Sequence, residues 1–187
     1  MKWQQVIGAG ALLLSGASPC FAWTEKELIA LARETVKREV LHQAPPITRD
    51  EDTPAPVFIT IEGRGEILGC RGVLRTTQSS LQREVVRAAR SAASGDPRYR
   101  PLSPADLKGF RVTVTIVESQ TPLSSSDLDS LSPEDGLILQ SGERVGIVLP
   151  FEGRDPQMRL SWAFKKAGVA RGSSVRLFRL QAQRFRG

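Results

Sequence analysis

Phe110-Arg111-Val112-Thr113-Val114-Thr115-Ile116 is the stretch on which the fold class turns. Apolar and polar residues alternate strictly, which puts Phe110, Val112, Val114 and Ile116 on one face of a half-buried strand. A strand of this kind needs neighbours, and the text on either side supplies them.

Upstream, Leu81, Val85, Ala88, Ala89 and Ala92 recur at helical spacing, predicting a helix over residues 80–94 that stops at Gly95 and Pro97. Its alanine-rich stripe suits close approach to a sheet. Before it, Val57–Ile61 and Ile67–Leu74 read as strands joined through Gly63-Arg64-Gly65, a hairpin. Earlier still, Thr24 and Glu27 make a capping box, and Leu28, Leu31, Ala32, Val36 and Val40 give an amphipathic helix over residues 25–42. The proline-rich, acidic segment 45–56 is a surface loop.

Downstream, residues 119–135 are rich in Ser, Pro and Asp and read as an irregular connection. Leu137–Leu139 and Val145–Leu149 flank Ser141-Gly142-Glu143-Arg144 as a second hairpin. Asp155 caps a helix with Pro156 at its first position and a stop at Gly168, its inward stripe being Leu160, Ala163, Phe164 and Ala167. Val175–Ala182 is the last strand before an arginine-rich terminus. The order is helix, hairpin, helix, strand, hairpin, helix, strand. It lacks strict βαβ alternation, so the expectation is an α+β fold with a mainly antiparallel sheet flanked by helices, as a single domain without internal repeat.

The chain has 187 residues, 40% hydrophobic and 25% charged, the balance of a globular protein. Residues 1–22 read as a cleavable export signal: Lys2, then the apolar run Val6–Leu14, then small residues up to Ala22. The run is too short to span a bilayer, which takes roughly 20 residues. Cleavage would leave residues 23–187 as a periplasmic or secreted protein. It would remove Lys2 and Cys20, lowering the formal charge from +6 to +5 and leaving Cys70 as the one thiol, so no internal disulfide could form. The basic residues are scattered arginines, and an exported protein seldom meets nucleic acid. An anionic envelope surface is the expected electrostatic partner; Arg171, Arg176, Arg179, Arg184 and Arg186 could form a basic stripe for it, but the favoured reading of them is a solvated face.

Three motifs in order, Ile67-Leu68-Gly69-Cys70-Arg71-Gly72, Asp96-Pro97-Arg98-Tyr99-Arg100-Pro101, and Asp135-Gly136-Leu137 leading to Val148-Leu149-Pro150, resemble the AMMECR-type domain family. The opening helix resembles the family's start, so the likeness covers nearly all of residues 25–185. It implies one α+β unit with a larger and a smaller lobe around a cleft to which the Gly-Cys strand contributes, and it brings no established reaction. Where the family has arginine before Gly-Cys, this chain has Leu68. Arg71 occupies the place of the family's isoleucine and, by strand alternation, should point away from the side taken by Leu68.

Cys70 lies between Gly69 and Gly72, separated from the latter by Arg71, where glycine lets another backbone or a substrate come close. It reads either as a small buried hydrophobe sharing a face with Leu68 and Leu74, or as a nucleophile whose thiolate Arg71 would favour. His42, the one histidine, ends the first helix and reads as solvated; one His and one remaining Cys make no zinc site. Asp96, Arg98 and Tyr99 either line a polar pocket, with Arg98 gripping a carboxylate or phosphate, or form a self-contained turn. Gly63-Arg64-Gly65 lacks the spacing of a dinucleotide loop and is structural. The functional expectation is an accessory module that binds a small anionic molecule, a peptide or a partner protein through Gly69, Arg71, Gly72, Asp96, Arg98 and Tyr99. The alternative is a thiol-dependent enzyme or redox factor using Cys70. No pattern names a cofactor.

Overall fold

The computed structural model describes residues 23–48 and 52–187, so the expected signal over 1–22 lies outside the described residues. The expected fold class holds: α+β, one domain, built on a six-stranded antiparallel sheet. Helix α1 (Glu25–Val40) starts with the capping box, Thr24 and Glu27 satisfying each other's backbone N–H. A hairpin of β1 (Val57–Gly63) and β2 (Glu66–Gly72) follows, then α2 (Leu81–Ser94) and β3 (Arg111–Leu123). The second hairpin is β4 (Gly136–Ser141) and β5 (Arg144–Val148), and the chain closes with α3 (Pro156–Ala167) and β6 (Arg176–Arg186). Asp155 caps α3 by accepting from Met158 N–H at 2.6 Å, and Gly168 ends it in the left-handed region at φ 64°. Among the described residues no helix is long and apolar enough to cross a membrane.

The strands lie in the order β2-β1-β3-β6-β4-β5. The arrangement is hairpin, helix, strand, stated twice: β1-β2-α2-β3 and then β4-β5-α3-β6, joined where β3 pairs with β6. The duplication is one of element order, not of residues, so no internal repeat is visible in the sequence. The core divides accordingly. Helices α1 and α2 cover one half of the sheet, with Val36, Ile59, Leu81, Ala89, Phe110 and Val114 at its centre. Helix α3 covers the other half through Ala163, against Leu137, Leu139, Val148 and Leu177. A third cluster, Phe58, Val117, Ile138, Leu149 and Leu180, fills the sheet's opposite face, with Cys70 and Leu74 at its margin.

Three local expectations need correction. β3 is not half-buried: Thr113 and Thr115 are as enclosed as the apolar residues between them, because the sheet's far face carries a core cluster of its own. Its strand also runs on through Leu123, into a segment read as irregular, because β6 pairs with it as far as Leu177. The rest of that segment holds one 3₁₀ turn, Ser125–Ser130. The arginine-rich terminus is likewise strand, up to Arg186. Its arginines are dispersed into local contacts rather than forming a stripe: Arg176 bonds Gln140, Arg179 bonds Ser130, Arg184 stacks on Phe151 and Arg186 pairs with Glu62.

Candidate functional site

A cavity of about 350 Å³ lies between the outer strands β2 and β5, where the two halves of the molecule face each other. From the first half come Phe58, Cys70, Arg71, Gly72, Pro97 and Arg98. The second half contributes Val145, Ile147, Leu149, Glu152 and Lys166.

The first wall is shaped by an irregularity in β2. Ile61 pairs with Gly69 but Glu62 pairs with Ile67, so Leu68 is an inserted residue, a β-bulge. The bulge breaks the alternation on which the sequence reading relied. Leu68 packs on the helix side, while Cys70 joins the opposite cluster with Leu74, so Cys70 shares a face with Leu74 but not with Leu68. Arg71 turns to the helix side as well, its Nε donating to Ser91 Oγ of α2 at 3.3 Å. Leu68 and Arg71 therefore lie on the same side, contrary to simple alternation. Gly69 meets α2 itself: a Cβ there would stand 2.1 Å from the Ala92 carbonyl oxygen. That glycine serves helix–strand packing and is sealed from the cavity. Gly72 does line the cavity, and a Cβ on it would meet Val57 O at 2.3 Å and Phe58.

Asp96, at the end of α2, is the organiser. Its buried carboxylate accepts from Cys70 N–H at 2.9 Å, from Arg98 N–H at 3.1 Å and from Arg98 Nε and Nη2 at 2.9 and 2.7 Å. Arg98 Nη2 also donates to the Cys70 carbonyl at 2.6 Å. Burial alone would raise the Asp96 pKa, but the Arg98 hydrogen bonds and the two backbone donors bring it below the usual carboxylate value. The same bonds to Asp96 hold Arg98 above the ordinary guanidinium value, against the opposing effect of burial. Arg98 is thus a fixed cation with its outer side facing the cleft. Tyr99 does not line the cavity; its ring lies 5.4 Å from the Arg98 guanidinium, and burial lifts its phenol above the usual value.

Cys70 is a free, partly buried thiol whose Sγ accepts from Thr60 Oγ1 at 3.2 Å. Burial pushes its pKa above the ordinary thiol value, and Glu152 adds to that; the Thr60 hydroxyl and the nearby Lys166 and Arg98 pull only partly the other way. Among the described residues no histidine lines the cavity, His42 being exposed beyond the end of α1, and the carboxylate that does line it, Glu152, is paired with Lys166. Among the described residues no cluster of His, Cys, Asp and Glu could hold a metal ion.

The second wall was missed from sequence. Lys166 Nζ donates to the Ile147 carbonyl at 2.8 Å and pairs with Glu152 at 2.5 Å. Lys166 sits in the last turn of α3 and Glu152 in the loop after Leu149-Pro150, and nothing in either segment marks them until the fold brings β5 opposite β2. What was legible was the apolar run Val145–Leu149, read only as a strand.

Comparison with known proteins bears on the whole arrangement. A protein of Thermofilum pendens is 32% identical over 187 aligned positions, covering 84% of this chain and 87% of that protein. One from Aeropyrum pernix is 37% identical over 128 positions, 62% of this chain and 55% of that protein. The crystal structure of an uncharacterized protein from Pyrococcus horikoshii superposes with a TM-score of 0.73 at 21% identity, over 85% of this chain and 89% of the other, and supports the fold. The AMMECR1 family model matches residues 29–187, which spans both halves, both walls of the cleft and all three motifs. The chain belongs to the AMMECR1 family.

Proposed function

We propose that this protein is an exported binding module whose cleft between β2 and β5 takes a ligand or partner segment carrying both an apolar and an anionic group. The observation that carries this reading is the Cys70–Asp96–Arg98 network: a buried carboxylate spends its hydrogen bonds holding one arginine rigid at the mouth of a cavity. A preorganised guanidinium loses little entropy on gripping a carboxylate or phosphate. Phe58, Ile147 and Leu149 supply the apolar wall and Lys166 a second cation. Export rests on the Lys2 and Val6–Leu14 pattern, and an anionic envelope surface remains the electrostatic partner proposed for the exported chain.

A thiol-dependent reaction is the weaker reading, because the Cys70 environment favours the protonated thiol and the Glu152 carboxylate in the same cavity is paired with Lys166. Thermal-shift screening of the folded chain against organic carboxylates, phosphates and short acidic peptides tests the binding reading. Stabilisation by one class should vanish in Arg98→Ala and persist in Cys70→Ser. Loss in Cys70→Ser with retention in Arg98→Ala would transfer the function to the thiol.

A further inference from the structure

Both edges of the sheet end in one cleft. β2 and β5 are the outermost strands, each with a neighbour on one side only, and both line the same cavity. In an antiparallel ladder, residues alternate between those that bond to the partner strand and those whose N–H and C=O point away from it. Val73 N–H bonds the Val57 carbonyl at 3.1 Å, so Cys70 and Gly72 belong to the outward-facing set. The outward groups of Cys70 are taken: Asp96 accepts its N–H and Arg98 donates to its carbonyl. That ion pair does at Cys70 what a neighbouring strand would do. At Gly72, one ladder step along, no side chain among the described residues plays this part. On the opposite edge, Lys166 takes the Ile147 carbonyl and leaves Val145, in the same phase, facing outward.

The space beside this edge is long rather than round. A second cavity of about 640 Å³ meets the first at Val145 and continues along Val73, Leu74 and Arg75 over a floor that includes Ile138 and Phe178. Its charge is one-sided. Arg98 and Lys166 are paired with Asp96 and Glu152, but Arg71 and Arg75, both exposed along β2 and its continuation, have no carboxylate partner among the described residues.

We propose that the groove receives an extended acidic segment of a partner protein, added as a strand to the free Gly72 edge of β2, with alternate side chains on the apolar floor and a carboxylate meeting Arg71 or Arg75. Strand addition supplies affinity through main-chain bonds and specificity through every second side chain. This deepens the binding reading above and rests on it.

The test selects displayed ten-residue peptides on the intact folded chain, and then synthesises the strongest binder with single N-methyl groups walked along its backbone. Because Asp96 and Arg98 occupy Cys70 and Gln120 Nε2 donates to the Leu74 carbonyl at 2.7 Å, the expected result is an acidic peptide whose affinity falls at least tenfold on N-methylation at one position, the residue opposite Gly72, and little elsewhere. Binding should slow exchange of the Gly72 amide, and Arg71→Ala with Arg75→Ala, both surface changes, should weaken it at least tenfold. A peptide that binds in the cleft without a single N-methyl-sensitive position or Gly72 protection overturns strand addition while leaving the binding cleft standing. Small anions that bind there when no peptide is enriched also overturn it. So does protection of Gly72 through concentration-dependent self-association of the chain alone. If neither peptide nor small anion binds at the cleft, this inference and the binding reading fall together.

Discussion

At the scale of single residues, the cleft is governed by where charge is buried. Asp96 is held at 5% exposure because four donors converge on it, so removing its charge strands Arg98 and leaves the Cys70 N–H with a poorer acceptor. Asp96→Asn should cost about 2 kcal/mol at neutral pH, a figure set by charged hydrogen bonds and reduced because Arg98 is half-exposed to solvent. The sign with pH follows from the depressed folded pKa. The contribution is complete above the unfolded aspartate value near about 3.9 and is lost as pH falls through the lower folded value. Urea denaturation of both proteins from pH 7 to 3 should therefore show the gap closing below about pH 4; a constant gap would count against the Asp96 charge as the cause. Cys70 presents the converse case, a neutral form favoured by burial. Its alkylation in the folded chain should be slow at pH 7 and rise only above the free-thiol range near about 8.5. Labelling as fast as in the unfolded chain at neutral pH would contradict that. The sequence named Asp96, Arg98 and Cys70 as candidates, since loop aspartate and arginine beside a helix end are visible locally. It could not show that the aspartate lies beneath the other two, which depends on residues 26 positions apart meeting.

At the scale of elements, two glycines do the same work in the two halves. A Cβ on Gly69 of β2 would stand 2.1 Å from Ala92 O of α2, and a Cβ on Gly146 of β5 would stand 1.9 Å from Ala163 O of α3. Each contact is with helix backbone, which cannot swing aside, so Gly69→Ala and Gly146→Ala should each cost about 3 kcal/mol through overpacking. Gly142 has a left-handed φ of 56° and open space around it, so Gly142→Ala should cost only about 1 kcal/mol. Thermal denaturation of the three variants would read this order, and equal losses would refute the close-packing account. Hairpins, helix starts and helix stops were legible because their signals are local: Thr24 with Glu27, Asp155 with Pro156, Gly168. The Leu68 bulge and the Ser119–Leu123 extension were not, because each is decided by a partner strand. Pro122 is tolerated in β3 because beyond Val117 that strand has β6 on one side and no β1 on the other.

At the scale of the whole molecule, the repeated order hairpin, helix, strand explains why the cleft exists. Each half places its hairpin's second strand outermost, so the two free edges, β2 and β5, come to opposite ends of one sheet whose curl brings them to the same cavity. The halves are unequal, since α1 has no counterpart and α2 is longer than α3, and this inequality hides the duplication from any reading of residue periodicity. They are also tied together at the centre: β3 and β6 pair from Thr113 with Arg186 to Leu123 with Leu177, so neither half can open without exposing the strand that completes the other. The two lobes should accordingly unfold as one cooperative unit. Val114→Ala, deep in the larger lobe, should lower stability by about 2 kcal/mol and shift the smaller lobe's transition by the same amount. Trp162, on α3, reports the smaller lobe once Trp3 and Trp23 are replaced by phenylalanine. Its fluorescence midpoint in urea should move together with the far-ultraviolet circular dichroism midpoint of the same variant. A Trp162 transition that stays in place while the dichroism transition moves would mean that the central pairing does not couple the lobes, and that the cleft is a joint between two independently stable halves.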